Sequence, residues 1–191
     1  LELVERCPAT PDRDESELTF LDRLGVALYA GSGQRRHDAS IYERADRLRA
    51  RLGRGPDPTT LRTAANLAIG ERDFPLAHRN GERLLEQGTA IDDPVLRTEG
   101  HYLLGVTSFW LGEFTASRDH LARALSSYAP ERMAEHLERF GQDPRAVCLV
   151  RSGFTAFHLG DFQHADDVTH RAVADAHTTG HPYTTAYVSA F

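Results

Sequence analysis

Three Asp-Pro pairs set the rhythm of this chain: Asp57-Pro58, Asp93-Pro94 and Asp143-Pro144. An aspartate carboxylate accepts from the free N–H groups of a helix's first turn, and proline suits the first helical position, where no N–H is needed. Each pair therefore predicts a helix start. A second signal follows each one: ERDFPLA ending at Ala77, LGEFTAS ending at Ser117 and LGDFQHA ending at Ala165. In all three, a phenylalanine (Phe74, Phe114, Phe162) stands three residues before a small residue and 17, 21 or 19 residues after the aspartate. That distance holds a helix of about four turns and a tight turn.

The stretch after each phenylalanine is amphipathic. Leu121, Ala124, Leu125 and Tyr128 fall at helical spacing, and Phe162, Ala165, Thr169, Ala172, Val173 and Ala176 continue the pattern. The unit is helix, short turn, helix. Ala77, Ser117 and Ala165 are expected where the two helices touch, with the preceding phenylalanine plugging the turn. Strand-like alternation is absent, so the chain is predicted to be all-α, with antiparallel hairpins over 58–88, 94–128 and 144–178. A looser unit over 14–53 has Leu24-Gly25 on its first helix, a Gly31-Ser32-Gly33 turn, and Ala45, Leu48 and Leu52 on its second. A partial unit begins at His181-Pro182 and runs over 181–191. PERMAEHLERF, from Pro130 to Phe140, predicts a short extra helix with Met133, Leu137 and Phe140 on one face.

Bulk properties narrow the function classes. Hydrophobic residues make up 40% of the 191 positions, enough for a continuous core. The formal charge of −6 argues against this segment gripping nucleic acid, which needs a basic face. Cys7 and Cys148 lie far apart without metal-ligand spacing and are expected to be free thiols in a reducing compartment. No apolar run has the length of a membrane span and no signal peptide precedes the first helix, so a cytoplasmic location without membrane contact is expected. All 22 basic residues are arginine, a bias that codon usage in a GC-rich genome explains without a physical role. Leu1 opens the chain without methionine and Phe191 ends it inside a helical pattern, so a fragment of a longer parent, truncated at both ends, is expected.

HYLLGVTSFWLGEFTASRDHLARAL, from His101 to Leu125, resembles the tetratricopeptide consensus: Leu104-Gly105 on the first helix, Gly112 and Phe114 at the turn, Ala124 on the second. The longer run through RFGQDPRAVCL (Arg139 to Leu149) and HLGDFQHA resembles the helical-repeat region of large bacterial signalling ATPases. Those proteins carry an ATPase module ahead of the repeats. They are often fused to a class III nucleotide cyclase, a protein kinase or a LuxR-type helix-turn-helix. The resemblance spans nearly the whole chain and is strongest from Asp92 onward. It implies a single tetratricopeptide-like repeat domain over 1–191, a right-handed α-solenoid of antiparallel hairpins with a sensor or scaffold role. The phenylalanine spacings of 40 and 48 residues depart from the usual repeat of about 34.

No catalytic constellation is found. GSGQRR, from Gly31 to Arg36, lacks both a preceding strand and the lysine-serine/threonine ending of a phosphate loop, and reads as a hairpin turn. His177 and His181 have helical ligand spacing, with His170 two turns earlier. A metal site would want a cysteine or carboxylate completing the set, and Pro182 interrupts the helix near His181, so the histidines read as solvent-facing and no metal is expected. Asp92-Asp93 and Asp166-Asp167 read as caps and solvated faces. No cofactor is implied.

What remains is a groove. In stacked hairpins the first helices line the concave face, where partners bind. The repeat places Arg62, Asn66, Tyr102, Phe109, Trp110, Arg151, Phe154 and His158 there, although packing between hairpins competes for Phe109, Trp110, Phe154 and Phe157. Arg62 and Asn66, four residues apart, resemble part of the clamp with which tetratricopeptide co-chaperones hold a peptide's C-terminal carboxylate. Leu103 stands where the next helix would supply an asparagine. Tyr183, Tyr187 and Phe191 form a stripe beside Val188 that is expected to be exposed and to join two copies, most simply as a two-fold dimer; the alternative is that the last helix folds back onto the preceding hairpin and the chain stays monomeric. The function expected is a non-catalytic interaction or sensor module of a bacterial signal-transduction or transcription-regulating ATPase. Its partner would be a protein or peptide, neighbouring domains of the parent included. The alternatives are an effector-binding regulatory domain with a small molecule in the same groove, and part of a nucleotide cyclase.

Overall fold

The computed structural model describes residues 10–32, 39–179 and 182–190. Among these there are ten α-helices and no strand. In chain order they are α1 (Pro11–Ser32), α2 (Ala39–Arg51), α3 (Pro58–Glu71), α4 (Phe74–Ala90), α5 (Pro94–Trp110), α6 (Phe114–Ser127), α7 (Met133–Phe140), α8 (Pro144–His158), α9 (Phe162–Thr179) and α10 (Pro182–Ala190).

Each Asp-Pro pair starts a helix as its chemistry requires. The carboxylates of Asp57, Asp93 and Asp143 accept from the N–H groups of Thr60, Val95 and Arg145 at 3.0, 2.9 and 3.0 Å. The acid before each phenylalanine caps two of the second helices in the same way. Asp73 accepts from the Leu76 N–H at 3.1 Å and Asp161 from the His164 N–H at 3.2 Å, whereas Glu113 makes no such bond. The expected turn at Gly31-Ser32-Gly33 is not found at its first two positions: Gly31 and Ser32 lie in α1. Gly33 to Arg36, like Cys7, falls outside the described residues.

Successive helices pack side by side: α3 with α4, α4 with α5, α5 with α6, α6 with α8, α8 with α9 and α9 with α10. The first helices also touch one another across the units, α3 with α5, α5 with α8 and α8 with α10. One cluster of buried side chains runs from Ala65 and Ala68 on α3, through Leu84, Leu96, Leu103 and Leu121, to Phe140, Val147 and Cys148. The α1–α2 pair has a smaller cluster of its own, Leu18, Leu21, Ala45 and Leu48. Ion pairs stitch that hairpin, Arg51 to Asp14 and Arg44 to Glu17, and Arg49 ties α2 to α3 by donating to the Thr60 hydroxyl at 2.9 Å.

Small residues set how closely the helices approach. Ala77 and Ser117 are fully buried. The Ser117 hydroxyl donates to the Gly105 carbonyl at 2.8 Å, so it satisfies its own polarity inside the contact. Ala165 is only partly buried. Between α4 and α5 the limiting position is Gly100, where an added Cβ would stand 2.7 Å from the Leu85 backbone nitrogen. No rotamer change moves a backbone atom away.

Gly100→Ala is therefore expected to destabilise the chain by about 1–3 kcal/mol through overpacking. Gly70→Ala, on an open stretch of α3, should be neutral or stabilising by up to about 1 kcal/mol. Urea unfolding followed by circular dichroism separates the two. Equal midpoints would contradict the α4–α5 contact.

Candidate functional site

Asn66, Ile69 and Gly70 at the end of α3, Arg72 at its C-cap, Phe74 at the start of α4, Tyr102, Val106 and Trp110 from α5, Gln142 just before α8, Val147 and Arg151 from α8, and Tyr187 from α10 line a cavity of about 650 Å³. It lies along the row of first helices. Four of the eight residues expected at the groove line this cavity: Asn66, Tyr102, Trp110 and Arg151. Asn66, Tyr102, Gln142 and Arg151 are all at least nine-tenths buried, while Trp110 is 48% exposed and forms an open wall.

The other four belong to neighbouring layers. Arg62 is 1% exposed and its guanidinium is engaged inside the fold. Nε donates to Glu99 Oε2 at 2.5 Å, Nη2 donates to Gln142 Oε1 at 3.3 Å, and the group lies over the Tyr102 ring at 4.3 Å. The expectation that Arg62 faces the groove is therefore corrected. Its charge is committed to Glu99, and capture of a peptide carboxylate by an Arg62–Asn66 pair has no geometric basis. Phe109, Phe154 and His158 form an aromatic layer between α5 and α8. His158 stacks on Phe114 with ring centroids 4.5 Å apart, and Phe109 meets both His158 (5.7 Å) and Phe154 (6.4 Å). This is the packing role that competed with groove exposure.

Glu99 is the centre of the buried polar layer. It is fully buried on α5, and its second oxygen meets His136 Nδ1 at 2.7 Å. His136, on α7, is itself fully buried and stacks on Tyr128 at 5.4 Å. Three elements thus converge on one carboxylate, which explains why α7 docks against α3. Burial opposes the charge on Glu99. Arg62 and His136 overcome it and hold the carboxyl below its ordinary range. The α7 face runs through Phe140 as expected, with His136 fully buried and Met133 and Leu137 only partly so. Burial raises the Cys148 thiol well above its usual range, which makes it an inert core group.

Two arginines remain on the cavity wall. Arg151 lies over the rings of Trp110, Phe109 and Phe154 at 5.1, 5.5 and 5.9 Å. Burial raises the Tyr187 phenol, and a hydrogen bond from Arg151 opposes that shift. Arg72 caps α3 in the left-handed region, at φ 65°. The matching turn positions of the next two units are Gly112 and Gly160, at φ 78° and 80°. A side chain in this region costs on the order of 1–3 kcal/mol relative to glycine, so Arg72 sits where the turn itself favours glycine.

The C-terminal stripe is also corrected. Tyr187 is partly buried against Leu149, Val150 and their neighbours, Val188 is buried, and α10 folds back onto α8 and α9. Tyr187 is thus turned inward instead of belonging to an exposed dimer face. The side chain of Tyr183, with Phe191 and His181, falls outside the described residues. His170 and His177 are exposed, and among the described residues no group of three or more acidic, histidine or cysteine side chains has metal-binding geometry. Among the described residues no helix is long and apolar enough to cross a membrane.

A histidine cluster not foreseen from the sequence joins α4, α5 and α6. His101 and His120 meet through their Nδ1 atoms at 3.1 Å, and His78 and Glu82 line a shallow cavity beside His120. One Nδ1 must accept while the other donates, so the contact cannot survive protonation of both rings. Burial, then the neighbouring ring and Arg123, depress His101 to about 4; burial, then Arg123 and His78, lower His120.

Two predictions follow from these charges. Glu99→Gln leaves the Arg62 charge buried without its carboxylate and should cost about 3–5 kcal/mol in urea unfolding. Adding Arg62→Met should recover part of that loss. Additive losses in the double variant would mean that the two groups are not coupled. For the histidines, the folded state binds fewer protons than the unfolded chain between the ordinary histidine value of 6.5 and about 4. Their stabilisation is complete above that window and is lost as pH falls through it. Glu99 adds its own loss below the ordinary glutamate value of 4.5. The melting temperature should thus decline between pH 6.5 and 5, and His101→Gln with His120→Gln should flatten that decline. An unchanged slope would exclude the pair as its source. Comparison of the chain with family models, with curated proteins and with solved structures returns no match.

Proposed function

We propose that this chain is a non-catalytic recognition module, a tetratricopeptide-like right-handed solenoid serving as the sensor or scaffold segment of a bacterial signalling ATPase. The observation that carries the reading is the cavity along the first helices. Its buried wall is built from polar side chains, Asn66, Tyr102, Gln142 and Arg151, and its open wall from Trp110. Such a lining orients a ligand without supplying a nucleophile and base. The side-by-side order of helices, with first helices also touching one another, is the arrangement that a solenoid of hairpins requires. The resemblance around LGEF and LGDF supplies the signalling context.

A bound effector is favoured over an extended protein surface by one feature. The cavity is closed on one side by α10 through Tyr187, and its volume lies in the range of roughly 300–1,000 Å³ typical of small-molecule sites. In this reading the effector sets the conformation of the segment, and the parent's output domain reads it.

Trp110 is the only tryptophan in the chain, so its emission reports on the groove directly. A screen of a metabolite set and a peptide library should yield a saturable emission change. Calorimetry on Trp110→Ala should show at least a tenfold loss of affinity for the same compound. Full affinity in that variant would move the site elsewhere, and turnover of ATP or GTP by the purified chain would replace this reading with an enzymatic one.

A further inference from the structure

The cavity is cationic in an acidic chain. Arg72 and Arg151 line it and, among the described residues that line it, there is no aspartate or glutamate, although the chain's formal charge is −6. The two arginines reach it by different routes. Arg151 is 8% exposed, set among the rings of Phe109, Trp110 and Phe154. Aromatic faces hold a guanidinium in place, and Arg151 also hydrogen-bonds Tyr187 at the cavity wall, so its charge is fixed in position beside the cavity. Arg72 stands at a left-handed turn position that the following two units fill with Gly112 and Gly160. The turn geometry does not ask for arginine there, and a strained residue at the rim of a cavity points to a role in what the cavity holds.

The remaining lining complements an anion that carries a flat ring. Tyr102 and Trp110 on α5 and Tyr187 on α10 supply aromatic walls, and the amides of Asn66 and Gln142 supply donors and acceptors. A planar ring gains by stacking on such walls. A carboxylate or phosphate gains most from guanidinium forks in a site partly removed from water. A cationic ligand would meet two like charges, and an uncharged ligand would gain nothing from their attraction.

We propose that this groove binds a small, ring-bearing organic anion, with the ring against the Tyr102–Trp110 wall and the anionic group between Arg72 and Arg151. This rests on the groove being a recognition site and adds the chemical class of its ligand.

The test uses the whole chain and four probes of one shape: naphthalene-2-carboxylate, 2-naphthyl phosphate, naphthalene-2-carboxamide and naphthalen-2-ylmethylammonium. Calorimetry should show saturable binding of at least one anion, with the amide and the ammonium at least tenfold weaker. Whether the carboxylate or the phosphate binds more tightly assigns the anionic group. Arg151→Gln should weaken anion binding at least tenfold. Because that change also disturbs the aromatic layer, Arg72→Gly is the decisive variant. It removes the charge while giving the turn its natural residue, so it should melt at or above the temperature of the unmodified chain and still lose at least tenfold in anion affinity. Equal affinity for anion and amide, anion binding unchanged in Arg72→Gly, or no anion binding at millimolar concentration would each overturn the proposal. In the last case, a groove ligand of another class found through Trp110 emission would leave the recognition reading standing. Failure of both would remove both.

Discussion

A single fully buried carboxylate ties the central helices together. Glu99 is fully buried on α5, and its two oxygens are held by Arg62 of α3 and His136 of α7. An ionised group in this position is tolerated only when its partners are present in the right places. Apolar side chains in all three positions would fill similar space without requiring a partner at any one point. The charged trio does require one, because each oxygen of Glu99 meets a partner on a different helix. The short helix α7 shows the consequence. It interrupts the alternation of hairpins, has only eight residues, and is fixed in place by His136 and Phe140 against the rest of the core.

Register also depends on distance. Gly88 and Gly100 bring α4 and α5 so close that an added Cβ at either would meet backbone atoms of the other helix at 2.7 Å. Ser117 performs the same service between α5 and α6, where its hydroxyl answers the Gly105 carbonyl, and it also meets the Thr155 hydroxyl of α8 at 3.2 Å. Close approach and charge pairing reinforce each other. The arginine–glutamate bond is short because the helices are near, and the helices stay near because separating them would expose an ion pair to incomplete solvation. Consistency of this kind, in which local and long-range preferences agree, is what gives a chain one well-defined fold.

The helical order was legible because it rests on local chemistry. Asp57, Asp93 and Asp143 cap their helices through their own backbone neighbours, and the phenylalanine-to-small-residue spacing is a property of one helix. The site was legible only in part, because its decisive contacts join residues far apart in sequence. Arg62 and Arg151 both fall on the inward face of a first helix, and nothing in their immediate neighbourhood says that Glu99, 37 positions on, will take one of them. His136 was hidden for the same reason, since the pattern of Met133, Leu137 and Phe140 identified the face while a histidine on it gave no sign of a buried partner. The His101–His120 contact needs α5 and α6 packed in register before it exists. Tyr187 could not be oriented from its periodicity, because a stripe of aromatic residues looks alike whether it turns toward solvent or back onto α8.

Arg72 is the instructive case, because its signal was present in the sequence and required only an alignment of the units. ERDF, LGEF and LGDF occupy equivalent turns, and the residue before the acid is arginine in the first and glycine in the other two. Once all three are seen to adopt the left-handed conformation, the glycines are explained by backbone sterics and the arginine is not. A chain selected for stability alone gains by placing glycine there as well. A long cationic side chain at that position follows if its guanidinium serves the groove ligand proposed above, since the described residues lining that cavity include no aspartate or glutamate. On that proposal, fold and function make opposite demands on one turn: the first unit gives up some turn stability for a charge beside the cavity, while Gly112 and Gly160 in the later units follow the structural preference.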